Sequence, residues 1–410
     1  MIWKMAWRNL LRNRRRTIIT LVSIAFGFVL SVTFTTLSDG SYGHMIDLAA
    51  HMGSGHVTVE PARYRIHPGT DLVVSGSDEL AQRLRRRPGA TKATIRVTGQ
   101  AMIASANGSL GAAFLAIDPA QEKDSFFLLR HIKEGSLFAA TDEGKILIGA
   151  KMAKALDVNL GKKLVLTTTD RNGEVVSGLL RVGGIFRTRA DEMDKHLVVL
   201  PIDAMRKLLG YAPDEATQIA LLLSDRRAAE RTAKLLAPLV EPNGATAVSW
   251  ARVMPDVSGA IAMDQVGNYF LQVFIFLLIG AGILNTVLMS VLERKREFGV
   301  MVAVGLSPAR LWRLVMTETF CLAMAGLAVG AILSLPLYVY FHAIGLDMSS
   351  WMKEDMVVGG LIWEPIMKAE LYWDHMALIF GGVFLLIMLL GVYPAYVTTR
   401  IQPVETLKSL

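Results

Sequence analysis

The sequence predicts an α-helical membrane protein with four transmembrane helices and one large α+β domain outside the membrane, and three observations carry that prediction. Of 410 residues, 52% are hydrophobic, and the mean hydropathy is +0.40, above what a soluble domain with one solvated surface shows. Four stretches reach the ~20 apolar residues that the ~30 Å hydrocarbon core of a bilayer requires. A 229-residue insert, residues 38–266, separates the first two and alternates strand-like with helix-like patterns.

Residues 1–16 predict an amphipathic helix lying in the membrane interface. Trp3, Trp7, Leu10 and Leu11 share one face, with Lys4, Arg8, Arg12 and Arg15 on another. Trp3, Trp7, Arg8 and Arg12 are the expected anchors. The first span covers 17–37; its 21 apolar or hydroxyl residues exceed a signal-peptide core of about 7–15. The remaining spans are 268–292, 314–341 and 376–397. Glu318 is the one acidic or basic side chain in all four, and Arg313 or Arg310 is its expected partner. Gly280, Gly282 and Asn285 form a small patch suited to close helix packing.

Charge sets the orientation. The first 16 residues hold six basic side chains and no acid, and 293–313 hold five basic residues, whereas 342–374 hold six acids against two lysines. By the positive-inside rule, 1–16, 293–313 and the tail 398–410 face the cytoplasm, and the insert and the 342–374 loop face outward. The insert carries 28 basic and 26 acidic residues, so the net +7 comes from the cytoplasmic edges and is no nucleic-acid footprint. The single cysteine, Cys321, lies in the third span. An outward domain without cysteine relies on its core rather than on disulfides, and is expected in a bacterial periplasm.

Within the insert, strand-like 55–64, helical 77–87 and strand-like 91–104 form one β-α-β pattern; 218–224, 225–240 and 245–250 form a second. Asn172-Gly173 between alternating runs predicts a hairpin. The expected layout is a split α+β subdomain, about 38–130 and 195–266, interrupted by a β-rich subdomain, about 130–195. No catalytic constellation emerges. "VNLGKK" (158–163) lacks the first glycine and the hydroxyl of a phosphate loop, so no ATP site is expected in this chain. His44, His51 and His56 show no metal-ligand spacing, and Ser54 has no nucleophile-elbow context.

Residues 292–313, "LERKREFGVMVAVGLSPARLWR", lie between the second and third spans. Basic anchors are followed by a short helix with Phe298, Met301 and Val302 on one face, a stop at Gly305, and Ser307-Pro308 opening the next helix. That apolar face needs burial against lipid headgroups or a partner protein.

"EFGVMVAVG" (297–305) resembles the coupling-helix signature Glu-x-Gly-x-x-x-Ala-x-Gly of the FtsX-like permeases, the membrane subunits of MacB-type ABC transporters. The resemblance extends to "MAWRNLLRNRRRT" (5–17), "ILIGAKMAKALDVNLGKKLVL" (146–166), "RVGGIFRTRADEMDKHLVVLP" (181–201) and "YPAYVTTRIQPVETLKSL" (393–410). Length, span count and domain size look most like permeases of the LolC and LolE type. MacB itself carries a fused ATPase domain, whereas 16 residues precede the first span here. The resemblance implies a MacB-like periplasmic core and a permease in the bacterial inner membrane, not an enzyme. It implies a separate cytoplasmic ABC ATPase dimer carrying ATP and Mg, a second permease copy or paralogue, and lipoprotein cargo passed to a periplasmic chaperone. It further implies ATPase coupling through Glu297, Phe298, Gly299, Met301, Val302, Ala303 and Gly305. Phe270, Phe274 and Leu277, near the outer end of the second span, are candidate cargo contacts. Alternatives are a MacB-like exporter of another substrate, or an FtsX-like signal transducer acting on a periplasmic hydrolase.

Overall fold

The computed structural model describes residues 8, 12, 14–122, 126–139, 142–188, 190–350, 357–358, 361–362 and 366–400. The chain forms two compact units. One comprises 1–42, 262–351 and 365–410; the other comprises 43–261 and 352–364.

The first unit is helical. Its long helices are α1 (Arg14–Ala49, whose last residues are counted with the second unit), α5 (Pro255–Glu293), α7 (Pro308–Ala343) and α8 (Trp373–Thr399), and each is long and apolar enough to cross a membrane. A seam residue recurs every fourth position on α5 (Ile275, Ile279, Ile283, Val287, Val291) and on α8 (Ile379, Val383, Ile387), and these rows interlock with Ile24 and Phe28 of α1. Such i, i+4 rows place one stripe of each helix inward. Close approach depends on small residues. A Cβ at Gly330 would sit 3.0 Å from the Phe28 ring, and one at Gly280 would sit 2.8 Å from Leu390. Gly282 meets nothing within 4 Å, and Asn285 is exposed, so of the patch read from sequence only Gly280 packs inside this unit.

The helices outrun the spans read from hydropathy. α1 continues through Ala49 instead of yielding at Leu37, and α5 begins at Pro255. Hydropathy marks where apolar composition ends; between Ser38 and Ala49 the weakest helix formers are Gly40 and Gly43, and neither stops the helix.

The second unit is built on one ten-stranded sheet: β1 (Val57–Pro61), β2 (Ala90–Ala104), β3 (Ser109–Ile117), β4 (Ile132–Gly135), β5 (Lys145–Gly149), β6 (Lys163–Thr169), β7 (Val175–Phe186), β8 (Leu197–Pro201), β9 (Gln218–Leu223) and β10 (Ala245–Ser249). Its order is β10-β1-β9-β2-β3-β8-β5-β7-β4, with β6 joining β2 to β7. β3 with β8 and β5 with β7 run parallel, and the other pairs are antiparallel. Helices α2 (Ser77–Arg85), α3 (Ile202–Leu209) and α4 (Ala229–Val240) lay Leu80 and Leu84, Ile202, Met205 and Leu209, and Ala233, Leu236 and Val240 into a core with Val57, Ile95, Val97 and Leu221. A second cluster holds Leu115, Leu147, Val199, Phe126, Phe138 and Phe186.

The strands read as two subdomains share this sheet: Met102, Ile103 and Ala104 of β2 pair with Thr167, Leu166 and Val165 of β6. Long-range pairing of this kind leaves no local periodicity, so the sequence suggested a boundary where the hydrogen bonds run through. The hairpin signal at Asn172-Gly173 lies in a three-residue loop. Thr169 pairs with Val175, Asp170 and Glu174 close the turn at 2.8 Å, and Gly173 takes φ +84°.

Candidate functional site

The segment between α5 and α7 is built from its breaks. Arg294, at φ −95° and ψ 8°, ends α5 and starts α6 (Lys295–Ala303). At the far end, Leu306 N–H donates to Met301 C=O and Gly305 N–H donates to Val302 C=O, both at 2.9 Å, with Gly305 at φ +99°. This is a Schellman stop, and glycine is the residue that takes its left-handed position without strain. Ser307 then stands extended ahead of Pro308 at the first position of α7; its hydroxyl makes no capping bond, so proline rather than a side-chain cap starts that helix.

A four-member ionic array, Arg12–Glu297–Arg294–Glu318, ties α6 to its neighbours, and a separate Arg16–Glu293 pair joins α1 to α5. Arg294, with a side chain 8% exposed, places Nη1 3.0 Å from both carboxylate oxygens of Glu318 and Nε 3.2 Å from Glu297 Oε2. Its guanidinium carbon lies 4.9 Å from the centre of the Phe298 ring. Arg12 donates to Glu297 at 2.5 Å, and Arg16 forks onto Glu293 at 2.8 and 2.9 Å. Three cations meet three carboxylates, so burial leaves no uncompensated charge. Burial works to raise the Glu297 pKa, but the hydrogen bonds from Arg12 and Arg294 outweigh it and hold the carboxyl below its usual range.

This geometry corrects two expectations. Glu318 pairs with Arg294, not with Arg310 or Arg313, which are both exposed. On a helix of 3.6 residues per turn, position 313 points well away from 318, and 310 lies two turns off, whereas the break at 294 folds its side chain inward. Phe298, Met301 and Val302 do not form an outward face. Phe298 is 1% exposed and packs with Leu311, Leu314 and Val315 of α7, and Met301 and Val302 pack against the same cluster. The periodicity located the apolar side, but it was the chain's own α7 that covered it. Arg12, expected as an anchor, bonds Glu297 and stays 54% exposed. Arg8 is exposed, and Trp3 and Trp7 lie outside the described residues.

What α6 presents outward is a different stripe: Arg296, Val300, Ala303 and Val304 are all exposed, Val300 at 47% and Val304 at 84%, with Gly305 beside them. Gly299 is buried under the helix. Sequence reasoning missed Val300 and Val304; the signal available was their i, i+4 spacing beside Ala303. On α5, Phe270, Phe274 and Leu277 are exposed at 74%, 65% and 64%.

His51 and His56 of the second unit serve the fold. His56 Nδ1 accepts from the Leu223 N–H at 3.0 Å, so Nε2 carries the proton toward Asp47 Oδ1, also at 3.0 Å. His51 contacts the Asp47 C=O, and Ser54 donates to backbone carbonyls. Among the described residues no group of three or more His, Cys, Asp or Glu side chains is placed to hold a metal ion.

Comparison with known proteins places the geometry in a family. Residues 17–239 match the MacB-like periplasmic core domain, and residues 269–403 match the FtsX-like permease C-terminal model. An uncharacterized ABC transporter permease of Methanocaldococcus jannaschii is 22% identical, covering 98% of this chain and 96% of that protein. The lipoprotein-releasing system transmembrane protein LolC of Xylella fastidiosa is 24% identical, covering 98% and 97%. The macrolide export ATP-binding/permease protein MacB of Nitrobacter winogradskyi is 25% identical over 98% of this chain and 59% of its own length. The chain belongs to the FtsX-like, MacB-core family of ABC transporter permeases.

Proposed function

We propose that this permease is the mechanical subunit of an ATP-driven transporter. A cytoplasmic ABC ATPase dimer, holding ATP and Mg, seats on the outer stripe of α6 and moves it. The ionic array passes that movement into α7 and α1. The domain outside the membrane then delivers work to a lipid-anchored cargo, with a second permease copy or paralogue opposite. In this reading the membrane is the bacterial inner membrane, the large unit faces the periplasm, and a periplasmic chaperone receives the cargo. Basic asymmetry across the four helices supports the orientation.

The observation that carries the coupling reading is the Arg296–Val300–Ala303–Val304 stripe: solvent-exposed, largely apolar, and borne by a helix whose other side is fastened to its own chain. Similarity to LolC over nearly the whole chain supports lipoprotein as cargo. Removing an acyl anchor from a bilayer costs about 0.8 kcal/mol per methylene, which calls for nucleotide energy rather than passive binding. Comparable similarity to MacB keeps export of another substrate as the second reading.

Val304→Asp tests the seat. The side chain is 84% exposed, so folding is spared. Co-purification of the ATPase should fall at least tenfold at equal membrane levels, and wild-type recovery would refute the assignment.

A further inference from the structure

A cavity of the second unit takes no part in the coupling segment. β2 pairs with β9 up to Arg96 and with β6 only from Met102, so residues 97–101 lack a strand partner on that edge. Side chains bridge the gap: Thr217 Oγ1 accepts from Thr98 N–H at 2.7 Å, and Thr168 Oγ1 donates to Gln100 C=O at 2.7 Å. Over this fork opens a cavity of about 410 Å³, within the size range of small-molecule sites.

Its chemistry is two-sided. Ala113 and Leu197, cross-strand neighbours on β3 and β8, contribute an apolar floor, and Met52, Val253 and Met254 contribute apolar walls. Arg65 lines the open side with its side chain 38% exposed. Its Nε and Nη2 hold Glu60, 0% exposed, at 2.6 and 2.8 Å, and Nη1 donates to the Val253 C=O at 3.1 Å. Those three bonds fix the guanidinium and use three of its five N–H groups; the other two have no partner among the described residues. Tyr64, Thr70, Gln100 and Gln218 also line it, so the cavity pairs an apolar strip with a polar edge. An apolar strip beside a fixed, incompletely used guanidinium is complementary to a thin apolar body with an anionic, bond-accepting head.

We propose that this cavity binds a single-chain amphiphile with a carboxylate head, its chain against Ala113 and Leu197 and its head at Arg65. Met52 follows α1 in sequence, and Met254 immediately precedes α5. The proposal is independent of the coupling reading, because neither nucleotide nor ATPase takes part in its test.

The test uses the full-length protein in detergent micelles and two probes: palmitic acid with a mid-chain diazirine, and the methyl ester of the same probe. After irradiation, adducts are mapped by mass spectrometry. The acid should mark peptides containing 52–54, 113–115 and 253–254, and the ester should mark them at least tenfold less. Ala113→Trp should fill the slot and remove those adducts while labelling of the apolar helices persists. Acid adducts confined to the apolar helices, or equal marking of the cavity by acid and ester, would overturn the proposal. The acid–ester comparison on the wild type decides the matter even if the tryptophan variant does not fold.

Discussion

Replacing Arg294 with methionine keeps a long apolar stem over Phe298 but removes the cation that Glu318 meets at 3.0 Å through both oxygens. Side-chain exposures of 8% and 12% leave this pair largely shielded from solvent. Deleting one partner of a buried pair costs about 3–5 kcal/mol, because the remaining carboxylate loses the cation that faced it. The lower end, about 3 kcal/mol, is the working figure, because Glu318 keeps some exposure to solvent. At about 1.4 kcal/mol per tenfold, detachment of α6 from α7 becomes roughly a hundredfold more frequent. Val302→Cys, in a Cys321→Ala background, reports detachment through its maleimide labelling rate, since Val302 is half-buried against the helical core. The rate should rise about a hundredfold, in proportion to the open fraction. Arg294→Met combined with Glu318→Met removes both charges and should restore most of the protection. Labelling of Arg294→Met at the parent rate would show that the pair does not hold the helix.

Two further outcomes follow from the same geometry. In right-side-out vesicles of the Cys321→Ala protein, a cysteine at exposed Glu174 should react with an impermeant maleimide, and one at exposed Arg310 should react only after the membrane is opened; the reverse pattern would invert the proposed orientation. Glu297 has its pKa held down in the folded chain, so its contribution is present above the unfolded carboxyl value of about 4.3 and is lost as pH falls through the lower folded value. The gap in melting temperature between wild type and Glu297→Gln should be constant from pH 8 to pH 6 and close only in acid; closure near neutrality would refute the Arg12 and Arg294 clamp.

Local patterning made much of the architecture legible. Alternation at 91–104 and the 3.6 period at 225–240 marked the strand of residues 90–104 and the helix of residues 229–240, because side-chain period is a property of neighbouring residues. The parallel pairing of residues 113–117 with 197–201 was not legible, since it joins segments about 80 residues apart with no local trace. At the candidate site the stop at Gly305 could be read, as a left-handed position selects glycine directly. The direction in which the helix faces could not. Periodicity singled out Phe298, Met301 and Val302 as an apolar side, but whether a partner or the chain's own next helix covers that side depends on where Leu311 and Leu314 return. Arg294 was hidden for a similar reason: within Glu-Arg-Lys-Arg, only the break in the helix separates the buried arginine from its solvated neighbours.

In the proposed mechanism α6 is gripped from outside along its exposed stripe while its inner side stays with its own chain. Photo-crosslinking tests this most directly, with benzoyl-phenylalanine placed singly at Val300, Val304, Phe298 and Met301 in the membrane-assembled transporter. Val300 and Val304 should crosslink to the ATPase, and Phe298 and Met301 should yield only adducts within the permease. ATPase adducts at Phe298 with none at Val304, or adducts to lipid alone at every position, would contradict the account.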